Sequence, residues 1–172
     1  MDLYIDLLNK YIQINNKPDP NQMRAMFFLG EIYKEKDDST KAIEKWESYL
    51  LNSNSNQYIN SSERFIVAYN IAQEYYITGF IQLAMNWVNK SINEYQDTTC
   101  FRPEPYLILY NIHFQQHWNS KEELQKIINN IDIVINTESI PQPTTLYFNP
   151  SINSYLEELK KQVNERIKQI NE

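Results

Sequence analysis

At 172 residues the chain has room for one sizeable core or a short stack of helix pairs, and a single domain over residues 1–172 is the simplest division. Its 16 basic residues are scattered among 22 acidic ones, for a net charge of -6, which argues against the clustered Lys/Arg face of a nucleic-acid groove. The one cysteine, Cys100, cannot form an internal disulfide, and the sequence shows neither a secretory apolar segment nor a membrane-spanning run, so a cytoplasmic protein is expected. The sequons at Asn60 and Asn89 then carry no weight. Abundant Asn, Ile, Lys and Tyr beside scarce Ala and Gly reflect an AT-rich coding genome and say nothing about activity.

The first predicted element is a helix over Asp2 to Ile14, with Leu3, Tyr4, Leu7, Leu8, Tyr11, Ile12 and Ile14 in an amphipathic stripe. It reads as the second helix of a pair. Asn15 to Pro20 breaks it, because proline removes an amide donor and biases its predecessor away from helix. A helix then carries Met26, Leu29, Ile32 and Tyr33 to about Lys36. Asp37-Asp38-Ser39 supplies capping oxygens for the next helix, whose Ile43, Trp46 and Leu50 face back onto the first.

This pattern returns forty-two residues later. Leu29-Gly30 falls on Ile71-Ala72, Tyr33 on Tyr75, Ala42 on Ala84, and Trp46 lands beside Trp87. A fixed offset shared by small, aromatic and aliphatic positions is the signature of a structural repeat. Glycine inside a helix costs about 1 kcal/mol against alanine, so Gly30 implies a close approach of two elements there. The polar, aperiodic stretch Asn52 to Ser62 reads as a long loop between copies, and Gly79 as the turn of the second.

After a loop over Gln96 to Arg102, Pro103-Glu104-Pro105 opens a third pair. Ser120-Lys121-Glu122-Glu123 is a capping box ahead of Leu124, Ile127, Ile128 and Ile131. Tyr110 stands where the earlier copies have Gly30 and Ala72, so a looser third unit is expected. The repeats then fall at about residues 21–54, 63–96 and 103–136. Leu146-Tyr147-Phe148 reads as a short extended piece, and Asn149-Pro150 as the start of a capping helix over about residues 150–171. That helix sets Ile152, Tyr155, Leu156, Leu159, Val163 and Ile167 opposite Glu157, Glu158, Lys160, Lys161 and Glu165.

These residues resemble the tetratricopeptide repeat family, through Leu29-Gly30, Tyr33, Ala42 and Trp46 and again through Ile71-Ala72, Tyr75 and Ala84. Arg24-Ala25-Met26, Glu63-Arg64, Arg102-Pro103-Glu104-Pro105 and Leu146-Tyr147-Phe148 are similar in order to the repeat segment of some family-2-type glycosyltransferases. The resemblance implies an all-α fold: a short right-handed α-solenoid of about three to four helix pairs with a C-terminal capping helix. It also implies a concave groove lined by the first helix of each pair. By position its residues are Arg24, Phe27, Glu31 and Lys34, then Ile66, Tyr69, Asn70, Gln73 and Tyr76, then Leu107, Ile108, Asn111 and Phe114. Phe27 and Glu31 occupy positions where a terminal-carboxylate clamp uses Lys and Asn, so an apolar helix or extended segment fits better than a charged peptide tail.

Enzymatic signatures are missing. His113 and His117 share a helix face at i, i+4 and could begin a metal site, but the sequence places no third ligand beside them, and packing is the favoured reading. Cys100 has no paired histidine and reads as an ordinary thiol. The phosphate-loop, zinc-protease and serine-hydrolase patterns and a sugar-nucleotide Asp-x-Asp site do not occur. The expectation is a non-catalytic scaffold, with no cofactor or metal, that binds a protein or peptide partner or self-associates. The alternatives are an accessory subunit or detached repeat segment of a glycosyltransferase system and, third, an RNA-binding helical repeat, for which salt-sensitive retention on nucleic acid is the test.

Overall fold

The structure, a computed structural model, describes residues 2–14, 19–53, 61–95, 102–138 and 152–171. Eight α-helices occur among the described residues: α1 (Asp2–Ile12), α2 (Pro20–Glu35), α3 (Ser39–Ser53), α4 (Ser61–Ile77), α5 (Ile81–Lys90), α6 (Glu104–Gln116), α7 (Lys121–Glu138) and α8 (Ile152–Ile170). A π-helical turn, Ser91–Tyr95, follows α5 directly. No strand occurs among the described residues. Cys100, Leu146-Tyr147-Phe148 and Asn149-Pro150 lie outside them.

Backbone contacts divide the chain into two compact units, Met1–Tyr95 and Gln96–Glu172. In the first, α2 packs on α3 and α4 on α5, while α3 also packs on α4 and α1 on α2. Its core gathers Met23, Met26, Ala42, Ile43, Trp46, Tyr49, Leu50, Val67, Ala68 and Ile71. Burial of these side chains supplies the stabilisation that single helices of this length lack in water.

The two hairpins of this unit end their first helices in the same way. The Asp37 N–H donates to the Lys34 carbonyl (3.0 Å) and the Asp38 N–H to the Tyr33 carbonyl (2.9 Å); forty-two residues on, Gly79 N–H donates to Tyr76 (3.1 Å) and Phe80 N–H to Tyr75 (2.9 Å). Both are Schellman stops, which need a left-handed residue just past the helix. Asp37 takes φ 58° and Gly79 φ 83°. Asp37 therefore stops α2, and Asp38 alone of the expected pair of carboxylates caps α3, accepting from the Lys41 N–H at 3.2 Å.

The Asn/Ser stretch is more helical at its edges than expected. Asn52 and Ser53 remain in α3, where Asn52 Nδ2 donates to the Ser48 carbonyl (2.7 Å) and Ser53 Oγ to that of Leu50 (2.9 Å). Such back-bonding lets polar residues finish a helix instead of leaving it. A capping box missed in the sequence opens α2: Asp19 Oδ1 accepts from the Gln22 N–H (2.8 Å) while Gln22 Oε1 accepts from the Asp19 N–H (2.9 Å). The same Gln22, buried, donates through Nε2 to the Tyr11 carbonyl at 2.9 Å and so ties the end of α1 to the start of α2.

In the second unit α7 packs more extensively on α8 than on α6. Tyr110, Phe114, Leu124, Ile127, Ile128, Ile131, Val134, Ile152, Leu156, Leu159 and Val163 form its core. With a buried tyrosine in place of a small residue, α6 cannot close on α7 as α2 closes on α3, and the α8 stripe fills the space. At the head of α7 the expected capping box shows its serine limb: Ser120 Oγ accepts from the Glu123 N–H at 3.4 Å. The Ser120 N–H instead goes to the His117 carbonyl (2.9 Å), and Glu123 pairs with Lys126 at 2.7 Å.

Candidate functional site: the α2 and α4 face

Arg24, Phe27, Glu31 and Lys34 follow one another at i, i+3, i+7 and i+10, so they lie on one face of α2. Their forty-two-residue counterparts on α4 are Ile66, Tyr69, Gln73 and Tyr76, on the equivalent face. The helices are joined through side chains thirty-nine apart, a little less than one turn short of the repeat. Asn70 Nδ2 donates to Glu31 Oε1 at 2.8 Å, and Lys34 Nζ donates to Gln73 Oε1 at 2.8 Å. These four expected site residues are thus brought together as two rungs between α2 and α4.

Below the rungs lies a carboxylate that the sequence reading passed over. Glu74 is 2% exposed; its Oε2 accepts from Ser39 Oγ at 2.6 Å, and its Oε1 is 3.9 Å from Lys34 Nζ. A buried carboxylate without partners would be costly, so this grip fixes α4 against both α2 and the start of α3. An acidic residue directly after Ile71-Ala72-Gln73, in a helix otherwise rich in core residues, was the available signal. Glu31 is less deeply placed. Burial pushes its carboxyl above the ordinary value, while Lys34 and the Asn70 hydrogen bond pull it down.

Around the rungs the face is aromatic. Phe27 is half-buried, with Phe28 edge-on to it at 5.7 Å and the Tyr49 ring at 6.2 Å. Tyr49 Oη donates to Glu63 Oε2 at 3.1 Å, and burial, aided by Glu63, raises the phenol well above its usual range. Ile66, Tyr69, Gln73 and Tyr76 are half-buried, Arg24 is exposed, and Asn70 is buried.

The second unit uses its expected groove residues differently. Phe114 is buried in the core there, 4.8 Å from the Trp118 ring, and Leu107 packs against the same core. Asn111 Nδ2 is taken by the Leu107 carbonyl at 2.8 Å. Of the residues read from position, Glu31 meets Asn70 and Lys34 meets Gln73 across α2 and α4, whereas Phe114 is buried.

His113 and His117 meet edge to face with centroids 6.1 Å apart. Burial, then the neighbouring His117, pushes His113 below its ordinary value, which Glu123 partly opposes. Among the described residues no three His, Cys, Asp or Glu side chains gather as a metal-ligand set. No helix among them is long and apolar enough to cross a membrane.

Paired helices that repeat in register and stack through small residues define a tetratricopeptide-like helical-repeat fold, and solved structures agree. A crystal structure of a single-substitution form of a Podosopora anserina protein, described as a kinesin light chain with nearly identical TPR-like repeats, matches with a TM-score of 0.56 at 14% identity, covering 97% of this chain and 83% of that one. A second crystal structure from Podosopora anserina, described in the same words, gives 0.55 at 13% identity, covering 97% and 85%. At such identities the likeness concerns the fold alone; it does not extend to a glycosyltransferase. No curated protein matches the sequence. The model of the DUF6340 family, described as a domain of unknown function, matches residues 29–132, and the chain belongs to that family.

Proposed function

We propose that this protein is a non-catalytic scaffold that holds a protein or peptide partner on the α2 and α4 face. The observation that carries this reading is the pair of rungs, Asn70 to Glu31 and Lys34 to Gln73, each 2.8 Å long. They hold two helices at a fixed separation, so that Phe27, Ile66, Tyr69 and Tyr76 present aromatic and apolar area at low entropic cost to a partner. Such a face suits an apolar helix or an extended segment, with the polar rungs setting its register.

A photo-cross-linking side chain at Ile66 tests this, with one at the exposed Glu44 of α3 as the control. The expected result is a cross-linked partner at position 66 only, lost when Tyr69→Ala is added. Equal labelling at both positions, or labelling at 66 indifferent to Tyr69→Ala, overturns the reading. A glycosyltransferase as the captured partner would make the chain its accessory subunit.

A further inference from the structure

Helix α1 is apolar on two faces. Inward, Ile5 is buried and Ile12 packs against the first core. Outward, Tyr4, Leu7 and Tyr11 recur at steps of three and four, the spacing of a helix-pairing seam; Leu3 flanks them, and Ile14 continues the spacing in the turn just past the helix. The seam is open: Leu3 is 74%, Leu7 55% and Ile14 68% exposed, with Tyr4 and Tyr11 also in solvent. The apolar arc of α1 is thus wider than one contact can cover, and Asp6, Asn9 and Lys10 fill the remaining side. The contrast with α8 is direct, since its outward positions Glu157, Glu158, Lys161 and Glu165 are charged and exposed.

We infer that the outward seam of α1 pairs with α1 of a second copy of this chain, the two helices crossing antiparallel about a two-fold axis. Area supports a second copy. Taking about 200 Å² for a fully exposed large side chain, the exposed part of these five residues is roughly 600 Å² per copy. With all of it covered, a symmetric pair removes about 1,200 Å² from water, which just reaches the lower bound for a specific interface. Charge sets the direction. The N-terminal half of α1 carries the exposed Asp6 and the C-terminal half the exposed Lys10. Antiparallel pairing lays unlike halves side by side and opposes the helix dipoles, whereas parallel pairing lays like beside like.

The test is the mass of the full chain by sedimentation from 1 to 100 μM, with Leu7→Asp, Asp6→Lys, Lys10→Asp and the double reversal. The wild type is expected to dimerise within this range. Leu7→Asp should weaken the dimer at least 100-fold while its far-UV circular dichroism stays that of the wild type, because Leu7 is outside the core of its own chain. Each single reversal should weaken the dimer several-fold and the double reversal restore it. A wild type monomeric at 100 μM overturns the proposal, including the case where a different protein covers α1. So does a Leu7→Asp variant that still dimerises, and single reversals without effect overturn the antiparallel arrangement.

Discussion

The α2/α3 and α4/α5 hairpins share a backbone and fill it in opposite ways. In the first, Gly30 leaves room for a fully buried Trp46: a methyl group built on Gly30 would overlap the indole, with Cε2 only 2.6 Å away. In the second, Ala72 stands in the glycine position and Val88 in the tryptophan position, both fully buried. Volume lost on one helix is gained on its partner. What repeats is the space enclosed between two helices, and the side chains filling it are free to trade size across the gap.

That trade predicts the largest effects. Gly30→Ala alone should destabilise by about 1–3 kcal/mol, because the buried indole has nowhere to move. Trp46→Val alone should cost roughly 2–4 kcal/mol through the cavity it leaves, offset in part by removal of an indole Nε1 that is buried without a hydrogen bond. Combined, the two changes convert the first hairpin to the second one's pattern, and urea unfolding should show a loss at least about 1 kcal/mol smaller than the sum of the singles. Strict additivity would mean that the hairpins are not equivalent where Gly30 meets Trp46.

The same trade explains what the sequence made legible. Leu29, Gly30, Tyr33 and Ala42 could be laid on Ile71, Ala72, Tyr75 and Ala84 because each sits where the backbones of a pair come together, and only a few residue types fit there. The charged rungs are less visible: Glu31 and Asn70 both fall on the open face, but their bond joins positions thirty-nine apart, which a forty-two-residue repeat does not announce. Asp37 read as a cap because aspartate accepts hydrogen bonds, yet its role is conformational, and only its match to Gly79 reveals that. Extending the first two copies to the third puts Phe114 in a groove. There the buried Tyr110 breaks the small-residue rule, and the rings of α6 turn into their own core.

The turns sharpen the comparison next. Gly79 has open space around it but a φ of 83°, so Gly79→Ala pays for the left-handed backbone alone, about 1–2 kcal/mol. Asp37 already bears part of that cost at φ 58°, and Asp37→Gly should stabilise by about 0.5–1 kcal/mol. Thermal unfolding of the two variants should therefore shift in opposite directions. A stabilising Gly79→Ala would show that the two stops are not the same device.

The smallest effect lies on the candidate face itself. Glu31 and Gln73 are forty-two residues apart, so the second hairpin carries an amide where the first carries a carboxyl. Burial raises the Glu31 carboxyl above its ordinary value, against the opposing pull of Lys34 and Asn70. Because the folded value is the higher one, the stability linked to Glu31 is fully present below the unfolded carboxyl range and is lost as pH rises through the folded value. Glu31→Gln keeps an oxygen for Asn70 to donate to and removes that titration. Its advantage over the wild type should be absent near pH 3.5 and grow to no more than about 0.5 kcal/mol at pH 7, the partial exposure of the group screening the rest. If denaturant titrations at the two pH values showed the wild type gaining on the variant as pH rises, the attraction of Lys34 would outweigh burial, and the first rung would be held by charge where the second is held by an amide.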